Sequence, residues 1–102
     1  MPKEKKKTTQ KVVKPGKDIV ASMTENFRKK LLKHVENGIQ ELTIDFSTVK
    51  MVDSVGLGVL IATHNSLKNV GGRLKVTNVS EDISKLLRTM RLDQHFEVQM
   101  AE

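Results

Sequence analysis

Apolar side chains recur along this chain with two periods, every second residue and every third or fourth, and glycine, proline or asparagine stands where one period gives way to the other. Thr9 to Lys14 holds Val12 and Val13 and runs into Pro15-Gly16, which predicts at most one short strand before a turn. Met23, Phe27, Leu31 and Val35 then stand four apart with Leu32 beside them, the apolar stripe of a helix. Ser22 and Glu25 make the S-x-x-E pattern of a capping box at its start, and Asn37-Gly38 supplies a left-handed stop. Leu42, Ile44 and Phe46 alternate with Glu41, Thr43 and Asp45, a strand buried on one face, and Val49, Met51 and Val52 carry the apolar pattern onward.

Val55 to Ala62 is locally ambiguous, because two glycines and several β-branched residues suit a buried strand as well as a helix. The longer spacing of Leu57, Leu60, Ile61, His64 and Leu67 selects a helix, ended by Gly71-Gly72. Leu74 and Val76 mark another strand. Ser80 is placed to cap a helix with Glu81 and Asp82 at its positive end, Ile83, Leu86, Leu87 and Met90 on its apolar face, and Arg88 and Arg91 near its end. Phe96, Val98 and Met100 alternate as a last strand. The order β-α-β-α-β-α-β with short connections predicts a single α/β domain, a mostly parallel or mixed sheet of four to five strands with helices packed on it.

Charge divides the chain more sharply than hydropathy does. At 102 residues there is room for one domain. Residues 1 to 17 carry seven lysines against Glu4, whereas residues 18 to 102 carry eleven basic and eleven acidic side chains. The net charge of +6 therefore belongs to the first segment. Residues 1 to 8 are expected to be a disordered lysine-rich arm and residues 9 to 102 the domain. Such an arm could touch nucleic acid or anionic lipid by charge alone, but arms of this kind more often serve solubility, and with no Tyr or Trp to stack on bases nucleic-acid contact is not expected. The longest apolar run, Val55 to Ala62, is far below the roughly 20 residues that span a bilayer. The lysines near the start are not followed by an apolar stretch, so a secretory signal is not expected, and the absence of cysteine removes disulfide and thiolate chemistry. The expected location is cytoplasmic.

Met51 to Leu60 reads M-V-D-S-V-G-L-G-V-L directly after the strand pattern of Leu42 to Ser47. The D-S-x-G-L-G-x-L run after such a strand resembles the central motif of STAS domains, the fold of bacterial anti-sigma factor antagonists. Gly71-Gly72 before the strand at Leu74 and the helix from Glu81 to Met90 support the resemblance, which covers roughly residues 16 to 100. It implies that Ser54, directly after Asp53, is the serine phosphorylated by a partner kinase that also acts as an anti-sigma factor. It places partner contacts at Asp53, Ser54, Val55, Gly56 and Asp18. Two departures stand out. The family opens with two strands, and this chain has few strand-forming residues before Lys14, so one strand is missing or supplied by a partner. Where the family's turn carries an aspartate, this chain reads Lys17-Asp18-Ile19-Val20, with its acid two positions early.

Each of these residues also has a plainer reading. Ser54 or Asp53 would serve simply as a helix N-cap, while Gly56 would let another surface approach closely. Phosphate on Ser54 would sit at the positive end of the following helix and so spare the fold, its effect falling on a partner. Asp45, late in a strand, resembles the phosphoacceptor of receiver domains, but no acidic pair follows a first strand, and a turn-bonding acid is favoured. His34, His64 and His95 are scattered, so no metal site is expected, and His64 reads as a hydrogen-bonded residue at the core edge. Gly56-Leu57-Gly58 begins like a dinucleotide fingerprint, but Ile61 stands where the third glycine belongs. No serine has a histidine partner and no carboxylates pair, so neither catalysis nor a cofactor is expected. The expected function is a phosphorylation-switched antagonist of an anti-sigma factor. A constitutive scaffold subunit, as in a lipid-transport assembly, and a nucleic-acid accessory led by the lysine arm are the rivals.

Overall fold

The computed structural model describes residues 9 to 101, so the expected disordered arm of residues 1 to 8 lies outside the described residues. Four strands alternate with three helices: β1 (Gln10–Val13), α1 (Ala21–Glu36), β2 (Glu41–Asp45), α2 (Ser54–Asn69), β3 (Arg73–Val79), α3 (Glu81–Thr89) and β4 (Glu97–Met100), with one 3₁₀ turn at Leu92–Gln94 before the last strand. The order read from the pattern is the order found, and the ambiguous Val55 to Ala62 segment lies inside α2.

The strands form one sheet in the order β1-β2-β3-β4, with every described pairing parallel. A parallel partner cannot be reached by a tight turn, so each connection must cross over, and the helices do this. Stepping one strand at a time in the same direction with right-handed crossovers lays all three helices on one face. Burial agrees: Leu42, Ile44, Leu74 and Val76 are shut in, while Glu41, Thr43, Asp45, Lys75 and Thr77 on the opposite face remain partly open. Between sheet and helices lies one core, with Phe46, Leu31, Leu60, Leu67 and Leu87 among its fully buried members.

Local signals account for most of the helix ends. Gly38 and Gly71 take left-handed φ angles of 98° and 76°. They close α1 and α2 alike, the N–H groups of Gly38 and Ile39 donating to Val35 and His34, and those of Gly71 and Gly72 to Lys68 and Leu67. Ser80 caps α3 as expected, accepting from the Ile83 N–H at 3.2 Å.

Three expectations are corrected. Ser22 does not cap α1, because the helix begins one residue earlier at Ala21 with Val20 in the cap position, which has no side chain able to accept a bond. The buried stripe of α2 is Gly56, Leu57, Val59, Leu60, Thr63 and Leu67, whereas Ile61 is 38% exposed. Met90 follows the end of α3 and is exposed, so Ile83, Ser84 and Leu87 form that helix's buried face.

Candidate functional site

The first turn of α2 rests on the segment that enters α1. Ile19 makes a parallel bridge to Val52, its N–H donating to the Met51 carbonyl at 3.0 Å and its own carbonyl accepting from the Asp53 N–H at 3.2 Å. This pairing brings Val20-Ala21 beside Asp53. With extended backbone angles at the N-cap of α2, Asp53 accepts from the Gly56 N–H on Oδ1 at 2.8 Å. Its other oxygen, Oδ2, accepts from the Ala21 N–H at 2.9 Å. One carboxylate thus caps two helices, which explains how α1 begins without a cap of its own. The N–H of Gly56 first, and that of Ala21 second, favour the ionised form and hold the Asp53 pKa below 3.8.

Ser54 is the first residue of α2 and is exposed. Because Asp53 does the capping, the hydroxyl of Ser54 is left without a hydrogen bond among the described residues. Val55, next along, is 48% exposed, and Met51, on the other side, is 57% exposed. The surface around the serine is therefore a polar centre with an aliphatic rim. Met51 was not among the residues expected there, since its alternation with Val49 reads equally as core.

Gly56 has a different reason for lacking a side chain from the one its motif suggests. It is buried, and a Cβ there would lie 2.2 Å from the Ile19 carbonyl oxygen. The missing side chain allows α2 to settle against the Ile19 segment; it does not open a surface to an outside partner. Asp18 is likewise engaged inside the chain: its Oδ1 accepts from the N–H groups of Lys50 and Met51 at 2.7 and 3.1 Å, fixing the loop that leads to Asp53.

The remaining candidates resolve into structural roles. Asp45 accepts from the Ser47 N–H and from Asn78 Nδ2, both at 2.9 Å, as a strand-end acid bonding a turn does. The Asn78 bond, then the Ser47 bond, holds its pKa below 3.8. The histidines are less scattered than their positions imply. His64 and His95 have ring centroids 5.7 Å apart, and Phe96 lies 6.1 Å from His64. These rings, with Ile61, Asn65 and Leu92, line a cavity of about 220 Å³. His64 Nδ1 is buried with no hydrogen-bond partner among the described residues, which corrects its reading as a hydrogen-bonded residue. No local signal joins a position in mid-helix to one after the last 3₁₀ turn. Among the described residues no three His, Asp or Glu side chains converge as a metal site, and no helix is long and apolar enough to cross a membrane.

The profile of the STAS domain matches residues 2–102. The chain is 41% identical over 59 residues to the anti-sigma-B factor antagonist of Bacillus subtilis, an overlap of 58% of this chain and 53% of that one, so the match spans about half the relative's length. The fold superposes on a candidate anti-sigma factor antagonist of Thermotoga maritima with a TM-score of 0.84 at 21% identity, covering 89% of this chain and 79% of the other. It also superposes on the phosphorylated form of the Bacillus cell fate determinant SpoIIAA with a TM-score of 0.72 at 19% identity, covering 93% and 86%. At such identities the two superpositions speak for the fold.

Proposed function

The chain belongs to the STAS domain family, and from that premise we propose that it is a regulatory binding protein of the anti-sigma factor antagonist kind, switched by phosphate on Ser54. Unphosphorylated, the surface of Asp53, Ser54 and Val55 binds a partner that is both an anti-sigma factor and a serine kinase. Binding draws the partner away from its target, and phosphorylation returns the partner to it.

The observation that carries this reading is the division of labour at the start of α2. Asp53 supplies both caps, so Ser54 is exposed with no structural duty, and a hydroxyl in that position is open to a kinase. A phosphate there would add nearly two negative charges at the positive end of a 16-residue helix, with the first N–H of α1 pinned to the neighbouring carboxylate. Both helix dipoles offset the added charge within the protein. A partner seated on Met51 and Val55 has no such compensation and would have to desolvate phosphate beside Asp53. A loss of about 2–4 kcal/mol in binding, a few hundredfold, is the expected size of the switch.

Mass spectrometry of the chain recovered from its native cell should find phosphate on Ser54. Ser22, though exposed beside Ala21, does not follow the capping Asp53; Ser47 and Ser66 belong to other elements, Ser80 is occupied as the cap of α3, and Ser84 is buried. Titrated against the captured partner, Ser54→Ala should bind and resist modification, and Ser54→Asp should stay folded and bind more weakly. If Ser54 carries no phosphate under any growth condition and all three proteins bind alike, the switch is wrong and a constitutive scaffold role takes its place.

A further inference from the structure

Four of the ten lysines among the described residues stand around β1 and α1. Lys11 on β1, Lys17 in the connection after it, and Lys30 and Lys33 on α1 are all exposed, whereas Lys14 stands near Asp45 on the other face of the sheet. None of the four forms an ion pair among the described residues, where the pairs are Lys29 with Glu25 and Arg73 with Glu41. Their proximity shows in two places. Lys11 and Lys30 both act on the His34 imidazole, adding to the larger effect of its partial burial in lowering its pKa. Lys17 and Lys30 line one shallow cavity of about 220 Å³ with Pro15, Met23 and Phe27. Among the described residues β1 is an edge strand of the sheet, and its outer side adjoins the exposed side of α1 to form a wall. Of the acids on the same segments, Glu25 is paired with Lys29, and Asp18 and Glu36 offset part of the positive charge.

We propose that this wall is a docking surface for the anionic headgroups of a lipid bilayer. It does not include Asp53 or Ser54, so it stands apart from the phosphate switch and does not depend on it. Lysine ammoniums on flexible stems act as point charges, suited to headgroups that diffuse laterally to meet them. Nucleic acid fits less well. The phenylalanines are buried, Tyr and Trp are absent, and Arg28 lines the cleft toward α2 instead of joining the wall.

The test is co-sedimentation of the full chain with vesicles of phosphatidylcholine alone and of phosphatidylcholine mixed with phosphatidylglycerol. Binding is expected only with the mixed vesicles, falling steeply as salt is raised. The double variant Lys30→Gln/Lys33→Gln, on exposed positions of α1, should retain the wild-type circular dichroism and weaken binding by at least about tenfold. Three results would overturn the proposal. One is no binding to the mixed vesicles; another is undiminished binding by the α1 variant, which would leave the first lysines acting alone. The third is tighter binding to duplex DNA than to the mixed vesicles at matched salt, which would make the wall a nucleic-acid surface.

Discussion

Gly56 and Gly58 sit two residues apart in the same helix turn, yet substitution should move stability in opposite directions. A Cβ at Gly56 would meet the Ile19 carbonyl at 2.2 Å, whereas at Gly58 it would meet nothing within 4 Å. Gly56→Ala should therefore cost about 1–3 kcal/mol by forcing α2 off the Ile19 segment. Gly58→Ala should add about 0.5–1 kcal/mol, the usual gain from replacing an unconstrained glycine in a helix. Urea denaturation of the two variants would check both signs. The D-S-V-G-L-G run made these residues conspicuous without separating their roles. A motif shows that a position lacks a side chain; only the fold shows what occupies the space.

Between elements, the shared cap makes the starts of α1 and α2 interdependent. Asp53→Ala should expose the Ala21 and Gly56 N–H groups together, and faster amide exchange at both positions would reveal it. Asp53→Asn keeps a single acceptor oxygen, so it should restore protection at one of the two positions and leave the other exchanging fast. Acid tests the same bonds. The Asp53 and Asp45 pKa values lie below 3.8 in the folded chain, so their contribution is complete above that value and is lost as pH falls through the lower folded values. What the sequence revealed of the elements follows the same division. Ser80, Asn37-Gly38 and Gly71-Gly72 act on their own helices, and their effects could be read locally. The S-x-x-E pattern at Ser22 was equally clear and misled, because the group that caps α1 stands 32 residues away and no local period encodes it.

Across the whole molecule, stability near neutrality should depend on the contact between α2 and the chain entering β4. Burial first, then His95 and Lys68, lower the His64 pKa below 6.5. The unfolded chain therefore takes up this proton before the folded one does. The neutral ring's contribution is complete above about 6.5 and declines as pH falls toward the folded pKa. His64→Leu removes both the titration and the unpartnered Nδ1, so its melting temperature relative to wild type should rise more at about pH 5.5 than at about pH 8. A constant difference between the two conditions would place the titration elsewhere. The pairing of His64 with His95 depends on the closed fold, which is why neither position drew attention to the other in the sequence. The sheet has a related consequence for how the chain reaches that fold. Every described strand pair is parallel and has a helix between its members, so there is no hairpin to form first and each ladder must wait for a long loop to close. Refolding should be slow for a domain of this size. Until β2 and β3 have found each other, nascent chains will present unpaired strand edges to chaperones and to one another.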